Sequence, residues 1–181
     1  MSNAYVTVCL PPTQPGNVYD AIKTAMAPYD FNSAANDWGG GEWDHWHIDA
    51  GDTRRYPVKP EYDGDPRLIY ADQWEPTPNR QRLPLQCDGG PVGLLDLDRL
   101  QTDAVSDAPA ERQWAIATFA LLPLDRLWID PDTPGPFLDV LPDATTTEAY
   151  EHQCVVYARE ATRYIESLAD DRIIVQLRYH C

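Results

Sequence analysis

Residues 172 to 181 read R-I-I-V-Q-L-R-Y-H-C, and they carry the strongest strand pattern in the chain. Ile174, Gln176, Arg178 and His180 alternate with a second series of apolar residues, which is the two-residue repeat of a β-strand. Because both series contain large side chains and residues 173 to 175 are continuously apolar, we expect a strand in the interior of a sheet.

The segments at the start of the chain and just before this strand also have regular patterns. Residues 4 to 10, A-Y-V-T-V-C-L, predict a strand, and the segment after it predicts a short helix that ends at Pro28. Residues 146 to 169 predict a long helix, because Thr145 and Glu148 form a capping-box pattern and an apolar stripe follows at helical spacing.

The patterns in the second half of the chain are shorter. Residues 83 to 87 and 92 to 95 predict the two strands of a hairpin around the turn D-G-G-P at 88 to 91. Farther along, a predicted helix begins near Asp107 and has an apolar stripe that reaches Leu121.

Residues 28 to 82 are dense in proline, glycine, aspartate and tryptophan, and only W-D-H-W-H-I and R-L-I-Y have strand-like patterns. A loop region of this length is unusual inside a compact domain and is often functional. The sequence as a whole predicts one α+β domain over residues 1 to 181. We expect a mixed sheet, helices packed mainly on one face, and this long irregular region.

The charge of the chain restricts its partners. It has 29 acidic and 14 basic side chains among 181 residues, which gives a net charge of −15. Such a surface repels nucleic-acid phosphate, so direct nucleic-acid binding is not expected. A DNA mimic would place its carboxylates in a long track, whereas the acids here are scattered, which favours an ordinary solvated acidic surface.

The hydrophobic pattern and the cysteines indicate a cytoplasmic protein. No apolar run has the length of a membrane span, and the first residues lack the pattern of a signal peptide. The four cysteines are widely spaced and include no C-x-x-C pair. They are therefore expected to be reduced thiols rather than disulfides or ligands of a structural zinc ion.

Residues 42 to 49, E-W-D-H-W-H-I-D, concentrate aromatic, histidine and acidic side chains. If this stretch is a strand, His45, His47 and Asp49 share one face at steps of about 7 Å, while Trp46 and Ile48 face the other way. An H-x-H pair with a carboxylate can hold zinc, or iron with open positions, but exposed or hydrogen-bonding histidines have the same spacing.

The segment C-D-G-G-P at 87 to 91 is a second candidate. Cys87 beside a glycine turn is a candidate nucleophile, although hairpin chemistry explains the turn without any function. We expect Cys87 to react faster with a thiol reagent than Cys154, which lies on the apolar stripe of the long helix.

Short motifs along most of the chain also form a recognisable series. They are Pro28-Tyr29, the W-D-x-W-x-I motif (Trp43, Asp44, Trp46 and Ile48), the segment C-D-G-G-P, and the C-terminal Tyr179-His180-Cys181. After the W-D-x-W-x-I motif, the sequence D-A-G-D-T-R-R-Y replaces the G-G-R-W motif of the family described below. In these motifs the chain resembles a loose family of proteins from actinobacteria and their phages. That family has no assigned activity, so the resemblance implies an accessory protein and no reaction.

Three functional hypotheses follow, in order of preference. The first is a small acidic cytoplasmic module of actinobacterial or phage origin that binds a protein or small-molecule ligand through residues 42–49 and 87–91. Its binding residues would be Trp43, Asp44, His45, Trp46, His47, Cys87 and Asp88. The second is a metal-dependent enzyme in which His45, His47 and Asp49 hold a divalent metal and Glu42 or Asp44 is the base. The third is a DNA mimic that inhibits a nucleic-acid-binding protein.

Overall fold

The computed structural model describes residues 3–33, 41–51, 55–74, 82–98, 120–132 and 147–181. The described part is an α+β fold with one five-stranded sheet and one two-stranded sheet. The strands are β1 (Asn3–Leu10), β2 (His45–Ile48), β3 (Tyr56–Pro57), β4 (Gln86–Cys87), β5 (Gly89–Pro91), β6 (Ala120–Leu122) and β7 (Ile173–His180). The helices are α1 (Val18–Met26) and α2 (Thr147–Glu166). The predicted fold class is confirmed.

Strand β7 is the centre of the larger sheet, as the alternation in its sequence predicts. It pairs antiparallel with β1 along its full length on one side. On the other side β5 pairs with its first half and β2 with its second half. Strand β6 extends the sheet by pairing parallel with β1, so the sheet is mixed. In the described part of the chain β6 is the outer strand on this side, and β2 and β5 are outer strands on the other.

Each face of the sheet covers its own apolar core. On one face α1 packs against alternate residues of β1 and β7 through Val18, Ile22, Ala25 and Met26, which recur at helical spacing. On the other face Tyr157, Ala161 and Ile165 of α2 pack against Cys9, Leu121 and Ile174. The two described helices are thus divided between the faces, rather than packed mainly on one.

The predicted hairpin at 83 to 95 does not form. Residues 86–87 pair with β3, residues 89–91 pair with β7 as β5, and residues 92–94 form a 3-10 turn. Glycine and proline at 89 to 91 would also suit a tight turn. Here the two glycines, which have no side chains, let β5 lie close to β7. An added Cβ on Gly89 would be 2.5 Å from the carbonyl oxygen of Ile174.

Two further predictions differ from the structure or lie outside it. Leu121 belongs to the buried strand β6 instead of a helical stripe. The predicted helix start at Asp107 and the capping residue Thr145 lie outside the described residues. The region 28–82 is irregular as predicted, since its described part contains 3-10 turns and only the short strands β2 and β3. Within the described ranges no helix is long and apolar enough to span a membrane.

Candidate functional site

The stretch 42 to 49 forms β2 and its flanks at the edge of the larger sheet. The register places His45 opposite His180 and His47 opposite Arg178. The amide of Asp44 also donates to the carbonyl of His180 at 3.1 Å, and the amide of Asp49 donates to the carbonyl of Gln176 at 3.2 Å. Backbone hydrogen bonds therefore fix both ends of this segment against β7.

One face of β2 is an anchor. Ile48 is buried in the core beneath α1, and Trp46 is half-buried against the same core. The Trp46 ring lies 5.4 Å from the ring of Tyr19 on α1 and 6.5 Å from that of Trp43. The indole nitrogen of Trp43 donates to the carbonyl of Met26 at 3.1 Å. Trp46 and Ile48 therefore face away from the two histidines, as predicted.

The opposite face gathers polar groups around one carboxylate. An oxygen of Asp44 lies 2.6 Å from Nδ1 of His45. Nδ1 of His180 lies 2.9 and 3.0 Å from the two oxygens of the same carboxylate. The rings of His45 and His180 stack with centroids 4.9 Å apart, and the ring of His47 meets His45 edge-on at 5.6 Å. Three of the four histidines of the chain thus share one face.

The two imidazoles also favour the ionised form of this carboxylate. Desolvation works against its ionised form, but hydrogen bonds and positive charge from His180 and His45 outweigh that effect and lower the pKa of Asp44. Asp44 is accordingly ionised at neutral pH, and its oxygens can accept hydrogen bonds from both rings. The cluster is open to solvent, with 41% of the Asp44 side chain and 55% of the His45 side chain exposed.

The predicted metal set is not the set that the structure brings together. Asp49 is nearly buried, accepts a hydrogen bond from the amide of Gly51 at 2.7 Å, and lies 3.3 Å from Nε of Arg178. Among the described residues, the group with ligand atoms within 4.8 Å of one another is Asp44, His45 and His180. The row His45, His47, Asp49 shares one face, as predicted, but it extends along the strand and does not converge.

The proposed base Glu42 lies near Asp130 and Tyr179. Burial and the negative charge of nearby Asp130 raise the pKa of the Glu42 carboxyl. Asp130 accepts a hydrogen bond from the indole of Trp128, whose ring packs edge-on against Tyr179 in the core beneath α1. Of the two predicted bases, Asp44 is therefore the one beside the histidines.

The second predicted part of the surface, residues 87 to 91, is buried. Cys87 is 1% exposed, and burial raises the pKa of its thiol to about 12. The thiol is therefore not the accessible nucleophile that the sequence predicts. Asp88 is 4% exposed, and its carboxylate accepts hydrogen bonds from the amides of Ala50 and Ala71 at 3.0 and 2.8 Å. This segment supports the fold and does not contribute an exposed recognition surface.

His180 is the site residue that the sequence patterns do not assign. The alternation along β7 predicts which face of the sheet His180 occupies. Its partner Asp44, however, lies 136 positions away in the chain. The pairing depends on the register of β2 against β7, for which the sequence contains no local signal.

Comparison of the chain with protein-family models, curated proteins and solved structures finds no match.

Proposed function

We propose that the protein is a small acidic binding module that engages a protein or small-molecule ligand through the polar face of β2. The observation that supports this proposal is the two-sided construction of the strand. Trp46 and Ile48 anchor one face, while Asp44, His45 and His47 lie with His180 on the other. A rigid strand that displays several hydrogen-bonding groups at a solvent-exposed edge is suited to recognition.

The side chains on this face determine which ligands it suits. Imidazole and carboxylate groups supply both hydrogen-bond donors and acceptors, and together they select polar or charged ligand groups. We include a cytoplasmic location in the proposal, since the four cysteines are present as thiols.

The experiment compares ligand capture by three purified proteins: the wild type, the double variant His45→Ala/His47→Ala, and His152→Ala. His152 is the fourth histidine and is exposed on α2, so its variant is a matched control. We expect a ligand that the wild type and the control retain and the double variant loses, with the affinity difference confirmed by calorimetry on purified components. Equal affinity of the double variant, at an unchanged melting temperature, would exclude this surface.

A further inference from the structure

We infer that Asp44, His45 and His180 bind one divalent transition-metal ion, of which zinc is the representative. This inference goes beyond the proposed recognition surface, because ion binding requires no partner. It also differs from the metal set that the sequence predicts, since His180 and Asp44 replace His47 and Asp49 as ligands.

The three ligand atoms lie within 4.8 Å of one another, and the two distances from Asp44 to the histidines are shorter than those in a metal site. In a tetrahedral zinc site with bonds of about 2.0–2.1 Å, neighbouring ligand atoms lie about 3.3 Å apart. Here an Asp44 oxygen is 2.6 Å from Nδ1 of His45 and 2.9 Å from Nδ1 of His180. These two distances need to lengthen by less than about 1 Å to admit the ion. Each imidazole that binds the ion through Nδ1 carries its proton on Nε2.

The chemistry of the three ligands selects the class of ion. Imidazole nitrogens bind zinc, copper, nickel and iron well, whereas magnesium and calcium require mostly oxygen ligands. Two histidines and one carboxylate leave at least one coordination position for water or a ligand atom. His47, whose ring is 5.6 Å from that of His45, lies on the same face as the cluster.

The backbone holds the ligands in place before any ion binds. His45 and His180 are direct partners in the β2–β7 register, and the amide of Asp44 bonds to the carbonyl of His180. Because the strands fix these backbone positions, binding has to order only the three side chains. The net charge of −15 adds a general attraction for cations.

The test is calorimetric titration of chelator-treated protein with Zn²⁺ alone, in parallel with Mg²⁺. Cys181 follows His180 and is exposed, so every protein carries Cys181→Ser to remove the neighbouring thiol as a zinc ligand. We expect binding of one equivalent of Zn²⁺ without comparable Mg²⁺ binding, and the same result for His152→Ala. Asp44→Asn and His180→Ala are each expected to weaken Zn²⁺ binding at least tenfold.

Thermal melting of the metal-free variants shows whether each one is folded, and Co²⁺ absorption of the folded proteins gives a second measure of nitrogen and oxygen coordination. Absence of stoichiometric Zn²⁺ binding overturns the inference, as does binding that Asp44→Asn and His180→Ala leave unchanged. Ligand capture measured in the presence of a chelator distinguishes the metal site from the recognition surface. Capture without metal binding removes the metal site alone, and metal binding without capture removes the recognition surface alone.

Discussion

Asp88 shows how one buried carboxylate can join distant segments. Its two side-chain oxygens accept from the amides of Ala50 and Ala71. Its own amide donates to the carbonyl of Ile69, and its carbonyl accepts from the amide of Gln176. Buried amides that lose such partners are costly, because no water replaces them. Asp88 therefore connects β2, the irregular region and β7 at a point where β5 and β2 meet.

Replacing Asp88 should consequently lower stability strongly. Asp88→Ala leaves two amides without their charged acceptor, and we expect a loss of roughly 3–5 kcal/mol in the free energy of unfolding. Asp171→Ala is the control, since 64% of that side chain is exposed, and its effect should stay within about 0.5 kcal/mol. Urea denaturation measures both values. Equal effects of the two substitutions would contradict the role given to Asp88.

The thiols should differ in reactivity in the reverse order of the sequence-based expectation. Burial raises the pKa of Cys87 to about 12, and thiolates are the reactive species, so this thiol should stay unlabelled in the native protein. Cys181 is exposed and should be labelled first, followed by the partly buried Cys154. Mass spectrometry of labelled peptides, before and after addition of denaturant, gives the order. Native labelling of Cys87 as fast as that of Cys181 would contradict the buried position.

The site residues were predictable to the extent that their contacts are local. His45, His47 and Asp44 are neighbours in the chain, so their proximity follows from the strand period alone. Cys87 and Asp88 were misassigned because D-G-G-P matches turn chemistry, whereas its strand partner lies in β7, more than 80 positions later.

At the level of elements, the packing of β2 stabilises the protein through its aromatic face rather than through its histidines. Trp46→Ala removes the ring contacts with Tyr19 and Trp43. Since Trp46 is half-buried, we expect a loss of roughly 2–3 kcal/mol, below the 3–5 kcal/mol typical of fully buried tryptophan. His45→Ala/His47→Ala removes one exposed and one half-buried side chain from the polar face and should cost less than about 1 kcal/mol. Chemical denaturation that ranks the two in the opposite order would show that the histidine face supports the fold.

The close approach of β5 to β7 leads to a second prediction at the level of elements. A Cβ added at Gly89 would meet backbone atoms, at 2.5 Å from the Ile174 oxygen and 2.8 Å from the Val175 Cα. Because backbone atoms of paired strands cannot turn aside, Gly89→Ala should cost about 2–3 kcal/mol. A Cβ at Gly16 would meet nothing within 4 Å, so Gly16→Ala should leave stability unchanged or slightly higher. Matched denaturation curves for the two alanine variants test this difference.

Long elements were predictable and short ones were not, for a physical reason. Strands β1 and β7 and helices α1 and α2 carry several periods of their hydrophobic repeat, which defines both type and face. Strands β5 and β6 have three residues each, too few to show a period. They are strands because β7 and β1 offer backbone partners, and that pairing is decided by the tertiary structure.

Across the whole molecule, many described acids are engaged within the protein itself. Asp65 lies 2.8 Å from Arg67, Asp72 lies 2.9 Å from Arg82, and Asp88 is buried. A mimic of nucleic-acid phosphate needs carboxylates that are exposed in a continuous track. The DNA-mimic hypothesis stays a prediction, and a salt-sensitive complex with a basic nucleic-acid enzyme would support it.

The excess of acids should also make stability depend on salt. With 29 acidic and 14 basic side chains, repulsion between carboxylates outweighs local ion pairs at pH 7. Raising NaCl from about 10 mM to about 200 mM shortens the screening length from about 30 Å to below 10 Å. We expect the melting temperature to rise by about 2–4 °C, equivalent to roughly 1 kcal/mol for a chain of this size.

The same titration near pH 4.4, the isoelectric point, is the control for this prediction. Net repulsion vanishes there, so added NaCl should leave the melting temperature nearly constant or lower it by screening the remaining ion pairs. A melting temperature that falls with NaCl at pH 7 would mean that attractive pairs such as Asp65 with Arg67 dominate. In that case the acidic surface would stabilise the fold through its arginine partners, and the net charge would be a poor guide to its energetics.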